Sequence, residues 1–73
     1  MPKLPVLAGR DVVSALQRLG FEQIGQKGSH IKLRRGSLTV IVPNHREVRR
    51  GTLSTILKMA SLSIDDLIAA GSH

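Results

Sequence analysis

The chain has 73 residues, with 11 Lys and Arg, 5 Asp and Glu, one aromatic residue and no cysteine. This length predicts one small domain over residues 1–73, with Gly71, Ser72 and His73 interpreted as a tail or tag remnant. The absence of cysteine excludes disulfides and a thiolate zinc site, and three scattered histidines argue against a metal site. No apolar run approaches the roughly 18 residues of a membrane span, and the N-terminal segment is too short for a signal peptide. We therefore expect a soluble protein, with the cytosol as its simplest location.

The first predicted element is a helix over residues 11–19. Its apolar residues Val12, Leu16 and Leu19 recur at helical spacing, and Gly20 follows where a C-terminal cap is expected. The sequence therefore begins with an amphipathic helix that buries one face.

Three strands are predicted next. Residues 21–27 have extended character but few strong apolar residues, so this first strand is weak. Residues 30–34 alternate polar and apolar side chains, and residues 38–42 are β-branched and nearly continuous, with Pro43 ending the ladder. A hairpin turn is predicted over residues 35–37.

The C-terminal third is predicted to contain a loop and two helices. Residues 44–50 are polar, and from Thr52 the apolar residues again recur at helical spacing. Ser63 followed by Asp66 is typical of a helix cap, and Gly71 is placed at the end of the short helix. The order helix, three strands, helix, short helix predicts an α+β fold, with the helices on one face of a three-stranded antiparallel sheet and the other face free.

The net charge of +6 is concentrated in the middle of the chain. Only one acid, Glu47, lies between residues 27 and 50. The basic residues of this segment are Lys27, Lys32, Arg34, Arg35, Arg46, Arg49 and Arg50. Such a segment is typical of a surface for a polyanion, most simply nucleic acid, although basic residues can also do no more than solvate a face.

His30 is the first candidate for chemistry on the free face. The two-residue period of a strand places His30, Lys32 and Arg34 on one side. An RNA phosphodiester carries its own nucleophile, the 2′-hydroxyl, so a protein base and nearby cations are enough to cleave it. Gly28 and Ser29 would let a phosphate approach the backbone closely.

The alternatives at these histidines stay open on position alone. His30 could be one phosphate contact among several, with no catalytic role. His45 could be an acid, a ligand contact or part of a turn that hydrogen-bonds to itself.

Other function classes lack their sequence signals. There is no glycine-rich phosphate loop, no His-Glu-x-x-His helix and no paired carboxylates, which argues against nucleotide hydrolysis and metalloprotease chemistry. With Phe21 as the one aromatic residue, base stacking platforms are missing. A helix-turn-helix would place Asp65 and Asp66 against DNA phosphates, which they would repel.

Several motifs occur together in a specific order and spacing. They are Gly20-Phe21, Lys27-Gly28-Ser29-His30, Val42-Pro43-Asn44-His45-Arg46-Glu47 and Arg50-Gly51-Thr52-Leu53. Together with Ile56-Leu57, this set strongly resembles the HicA (YcfA-like) toxins, and the match runs from about Ala8 to Leu67.

The resemblance implies a double-stranded-RNA-binding-domain-like fold, an mRNA interferase activity and neutralisation by a HicB antitoxin. The catalytic histidine of the family lies in a Gly-Ser-His motif, which corresponds to Gly28, Ser29 and His30. Family members often carry a second His or an aromatic residue just after this motif, where this chain has Ile31-Lys32-Leu33. We expect this difference to affect substrate preference more than activity.

The resulting hypothesis is metal-independent cleavage of mRNA, without a cofactor, in which His30 acts as base or acid. The antitoxin is expected to cover His30. The RNA-binding residues are expected to be Lys27, Gly28, Ser29, Lys32, Arg34, Arg35, His45, Arg46, Arg49 and Arg50. A non-catalytic RNA-binding module and a protein-interaction domain with an acidic partner are the competing hypotheses.

Overall fold

All six predicted elements are present, in the predicted order, in the computed structural model, which describes residues 6–71. Their bounds are α1 (Gly9–Arg18), β1 (Glu22–Lys27), β2 (His30–Arg35), β3 (Leu38–Pro43), α2 (Arg50–Ala60) and α3 (Ile64–Gly71). Our interpretation of Ser72 and His73 as a tail lies outside the described residues. The predicted α+β class and the double-stranded-RNA-binding-domain-like arrangement are confirmed.

Several element boundaries differ from the prediction by one or two residues. Helix α1 begins at Gly9, before the predicted residue 11, and α2 begins at Arg50, before Thr52. Pro43 is the last residue of β3, where it pairs with His30. A proline is tolerated there because β3 is an edge strand and this position is its end.

The sheet is antiparallel with the order β1-β2-β3. The turns that join the strands contain Gly28 and Gly36, whose φ angles of 58° and 59° lie in the left-handed region that glycine adopts without strain. The bend that Gly25 allows in the sequence is present as a register shift between Gln23 and Gly25. Ile24 lies within this irregularity and is 42% exposed, so it adds little to the core.

The core lies between one face of the sheet and helices α1 and α2. The sheet contributes alternate residues of its two best-formed strands, and the helices contribute the apolar faces seen in the sequence. The buried residues that face each other across this layer include Ile31, Leu33, Val40, Val42, Val12, Leu16, Leu53 and Ile56. Helix α3 packs on α1 and adds Leu67 to the same core. The other face of the sheet carries the exposed side chains of β2. Within residues 6–71, no helix covers this face.

The two long helices both end in a left-handed residue. At the end of α1, Gly20 has a φ of 97°, and the Phe21 N–H donates to the Leu16 carbonyl at 2.9 Å. This confirms Gly20 as the predicted cap. Helix α2 is followed by its C-cap Ser61, which has a φ of 55° and is the one non-glycine residue among those described with a positive φ.

Helix α3 begins with the predicted cap. The Ser63 N–H donates to Asp66 Oδ2 at 3.0 Å, and the Asp66 N–H donates to Ser63 Oγ at 3.1 Å. This is a reciprocal capping box. The hydrogen bonds from the Ser63 backbone and side chain lower the pKa of Asp66 below its ordinary value.

This lowered pKa predicts an acid-sensitive cap. A carboxyl with a lower pKa in the folded state stabilises that state above the unfolded pKa of about 3.9, and the contribution disappears as the pH falls through the folded value. We expect Asp66→Asn to be less stable than the wild type at pH 6, with the difference shrinking below about pH 4. Urea unfolding between pH 2.5 and 6 measures this. Asp65→Asn is the control, and the same pH-dependent difference in that variant would contradict the prediction.

Candidate nucleic-acid interface

Strand β2 separates the core from the open face residue by residue. Ile31 and Leu33 are buried, whereas His30, Lys32 and Arg34 are exposed. The prediction that these three polar residues share the free face is therefore confirmed. The alternation follows from the pleat of the strand, since successive side chains point to opposite faces.

His30 has one neighbour on each side within the sheet. Lys27 pairs with it from β1, and Pro43 pairs with it from β3. Strands in a sheet lie about 4.8 Å apart, so Lys27 and the imidazole are adjacent on the open face. Lys32 lies two residues along β2 on the same face, with Ile41 beside it. An anion at His30 would therefore meet two lysines.

The turn before His30 is tied to the loop that follows β3. The Asn44 N–H donates to the Ser29 carbonyl at 2.6 Å, and the Gln26 side-chain amide donates to the Gly28 carbonyl at 3.1 Å. The Gly28-Ser29 turn therefore has a defined backbone conformation at the edge of the open face. Adding a Cβ to Gly28 would meet no atom within 4 Å, so the turn is open to an approaching ligand.

His45 lies beside this turn. Its Nε2 is 3.3 Å from Ser29 Oγ, and its carbonyl accepts the Gly9 N–H at 2.8 Å. Sixteen residues separate Ser29 from His45, so no local pattern in the sequence predicts their contact. The loop of residues 44–49 thus rests on both the start of β2 and the start of α1.

Val48 gives this loop a second attachment. The Val48 N–H donates to the Leu7 carbonyl at 2.7 Å, and the Val48 side chain is buried. The polar loop predicted over residues 44–50 is therefore partly a core element. The missed signal was the single apolar residue within it.

His30 and His45 line the same groove. Its volume is about 360 Å³, and Pro43, Arg49 and Thr52 also line it. Two imidazoles and a guanidinium thus surround one space at the edge of the sheet. Such a set can move protons and neutralise a phosphate without further groups.

Some of the predicted RNA-binding residues lie outside the groove that His30 and His45 line. Arg46 is exposed and lines a depression with Arg10, a basic residue that the sequence did not single out. Arg10 has no local signal because only the packing of α1 against the loop brings it there. Arg50 is exposed in the first turn of α2. Two acids lie among these cations, with Glu22 paired with Arg34 in the sheet and Glu47 in the groove.

Arg35 is not brought together with His30. It lies an odd number of residues from His30 along β2, so it belongs to the opposite face. Its Nη1 donates to the Leu19 carbonyl at 2.7 Å, and its guanidinium lies 5.0 Å from the centre of the Phe21 ring. Arg35 therefore caps the end of α1 and packs on the one aromatic residue.

Two kinds of feature are absent from residues 6–71. No helix there has the length and apolar character needed to cross a membrane. In the same residues, no three His, Asp or Glu side chains are grouped closely enough to hold a metal ion.

The fold and this interface define a small α+β protein with a basic, uncovered sheet face around an exposed histidine. A family model described as HicA toxin of bacterial toxin-antitoxin matches residues 9–62 of the 73. The chain belongs to this family, as its motifs indicated. It is accordingly a toxin of a toxin–antitoxin system, which implies an antitoxin partner. A search of curated proteins found no match.

The position of His45 depends on a close approach at Gly9, which predicts a destabilising substitution. A Cβ on Gly9 would overlap the Pro43 carbonyl oxygen and would lie 2.8 Å from Asn44 Cα. We expect Gly9→Ala to lower the free energy of unfolding by about 1–3 kcal/mol, although alanine is the better helix former. Denaturant unfolding measures this change.

Gly51→Ala is the matched control for Gly9→Ala. Gly51 also lies in the first turn of a helix, but a Cβ there would meet no atom within 4 Å. We expect this variant to be as stable as the wild type, or more stable by up to about 1 kcal/mol. Equal effects of the two substitutions would contradict the close approach.

Proposed function

We propose that this toxin is a metal-independent mRNA interferase, an endoribonuclease in which His30 takes part in proton transfer. The observation that carries this proposal is the position of His30 on an open sheet face, between Lys27 and Pro43 and two residues from Lys32. A titratable group of this kind is available to a large substrate and is surrounded by positive charge.

The proposed chemistry needs few protein groups. The 2′-hydroxyl of RNA is the nucleophile, and a base that removes its proton starts the reaction. Lys27 and Lys32 stabilise the negative charge that develops on the phosphate. DNA lacks the 2′-hydroxyl, so this mechanism restricts the substrate to RNA.

The substrate is held mainly through its backbone. The one aromatic side chain, Phe21, is buried, so it offers no platform for stacked bases. Phosphates would contact the cations of the open face and of the neighbouring loop. The residues proposed for this role are Lys27, Gly28, Ser29, Lys32, Arg34, His45, Arg46, Arg49 and Arg50. Arg35, which is held against α1, is no longer included.

The proposed antitoxin is a HicB-type protein that covers His30. A surface with acidic groups would associate quickly with the basic face and would exclude RNA from it. Because mRNA is the substrate, the cytoplasm is the proposed site of action.

Replacing His30 separates catalysis from binding. We expect His30→Ala to lower the cleavage rate by at least about 10²-fold, since proton transfer by a positioned group contributes about 10²–10⁴-fold. RNA affinity should change little because phosphate contacts with the cations remain. The measurement is cleavage of a labelled mRNA in excess EDTA, with affinity measured at the same salt concentration.

Three outcomes of that experiment would contradict the proposal. Binding by both proteins without any product would favour a non-catalytic RNA-binding module. A parallel loss of binding and cleavage in His30→Ala would make His30 a binding residue. Failure of the wild type to bind RNA would favour a protein-interaction domain.

The basic face also predicts a specific salt dependence. Lys32→Gln should reduce the slope of log affinity against log salt by about 0.7, which corresponds to one phosphate contact on a single strand. Lys58→Gln is the control because Lys58 is exposed near the end of α2, away from the sheet face. Titrations at several salt concentrations measure both slopes. An equal change in the two variants would show only a general effect of net charge.

A further inference from the structure

We infer that His45 is the second proton-transfer group of this site and that it protonates the leaving 5′-oxygen. The inference rests on the proposed ribonuclease function and adds a catalytic residue to it. It comes from the groove that His30 and His45 line together, and from the contact between His45 and Ser29.

Cleavage by the 2′-hydroxyl requires two proton movements. His30, as the neutral base, takes the proton of the 2′-hydroxyl while the 2′-oxygen forms a bond to phosphorus. The bond from phosphorus to the 5′-oxygen breaks, and this oxygen takes a proton from the His45 imidazolium. The products are a 2′,3′-cyclic phosphate and a 5′-hydroxyl, with His30 protonated and His45 neutral. Proton exchange with water restores both residues, so one base and one acid complete the balance.

The structure holds His45 in a manner that suits this role. Its backbone carbonyl is bound by the Gly9 N–H, and Ser29 Oγ lies 3.3 Å from Nε2. Ser29 immediately precedes His30, so the same turn positions both imidazoles. With Nε2 engaged by the serine, Nδ1 is the ring nitrogen left for the substrate. Arg49 lines the groove as well and supplies a cation for the phosphate between them.

Glu47 is the competing acid, since its side chain lines the same groove. A carboxyl group is ordinarily ionised at neutral pH, whereas an imidazole exists in both forms there. The imidazole is therefore better suited to donate a proton and to be recharged in each cycle. Glu47→Gln tests this alternative directly.

The decisive experiment compares two leaving groups. An oligoribonucleotide is made around a cleavage site that has been mapped with the wild-type toxin, either with the natural 5′-oxygen or with a bridging 5′-sulfur. A thiolate leaves without protonation, so the sulfur substrate does not need a general acid. Single-turnover rates are measured in EDTA for the wild type, His45→Gln, His30→Ala and Glu47→Gln.

His45→Gln is chosen because an amide can still hydrogen-bond to Ser29 but cannot transfer a proton. We expect this variant to cleave the natural RNA about 10²–10⁴-fold more slowly than the wild type does. On the sulfur substrate, its rate should lie within about tenfold of the wild-type rate on the same substrate. His30→Ala should be slow on both substrates because the base is still required. Glu47→Gln should show no such selective rescue.

Several results would overturn the inference while leaving the proposed function intact. His45→Gln could cleave natural RNA as fast as the wild type, or it could be equally slow on both substrates, as expected for a structural residue. Selective rescue of His30→Ala or Glu47→Gln would assign the acid elsewhere. By contrast, a wild type that cleaves no RNA would reject the ribonuclease function itself.

Discussion

The alternation of side chains along β2 is the constraint on which the rest of this protein depends. Ile31 and Leu33 are buried, and each full burial of such a side chain stabilises the fold by about 1.5–3 kcal/mol. A shift of one residue in the register would expose both and bury charged groups instead. The same alternation holds His30 and Lys32 on the open face. The alternation along β2 therefore determines both the packing of the core and the residues available for the proposed chemistry.

The loop of residues 44–49 connects this strand to the rest of the molecule. It is bound at Ser29 on the strand side, at Gly9 on the helix side, and through the buried side chain of Val48. A loop that moved freely would leave His45 without a defined position relative to His30. These attachments instead place both imidazoles around one groove. In a chain this small, packing of a loop against a helix start can therefore determine the layout of a site.

Positive charge on one face is compatible with stability because water and partner molecules reach that face. The cations around His30 are exposed, so they keep their hydration in the free toxin. Arg35 differs from these cations because its guanidinium contacts other parts of the protein. It binds the end of α1 and packs on Phe21, and these contacts stabilise the fold. Membership of a toxin–antitoxin family implies an antitoxin partner. Under our proposal, this antitoxin and the RNA bind the same exposed cations and exclude one another.

The order of the elements, the caps at Gly20 and Ser63 and the outward face of β2 could all be predicted from the residues alone. Those features follow from periodicities of two or 3.6 residues and from glycine or serine at helix ends, all of which are local. Packing brings His45 to Ser29, turns Arg35 to α1 and leaves no room for a side chain at Gly9. These contacts join residues at least 16 positions apart, and their partners are chosen by how the layers pack. The outward position of His30 could therefore be predicted from the chain, whereas its place beside His45 in one groove required the fold.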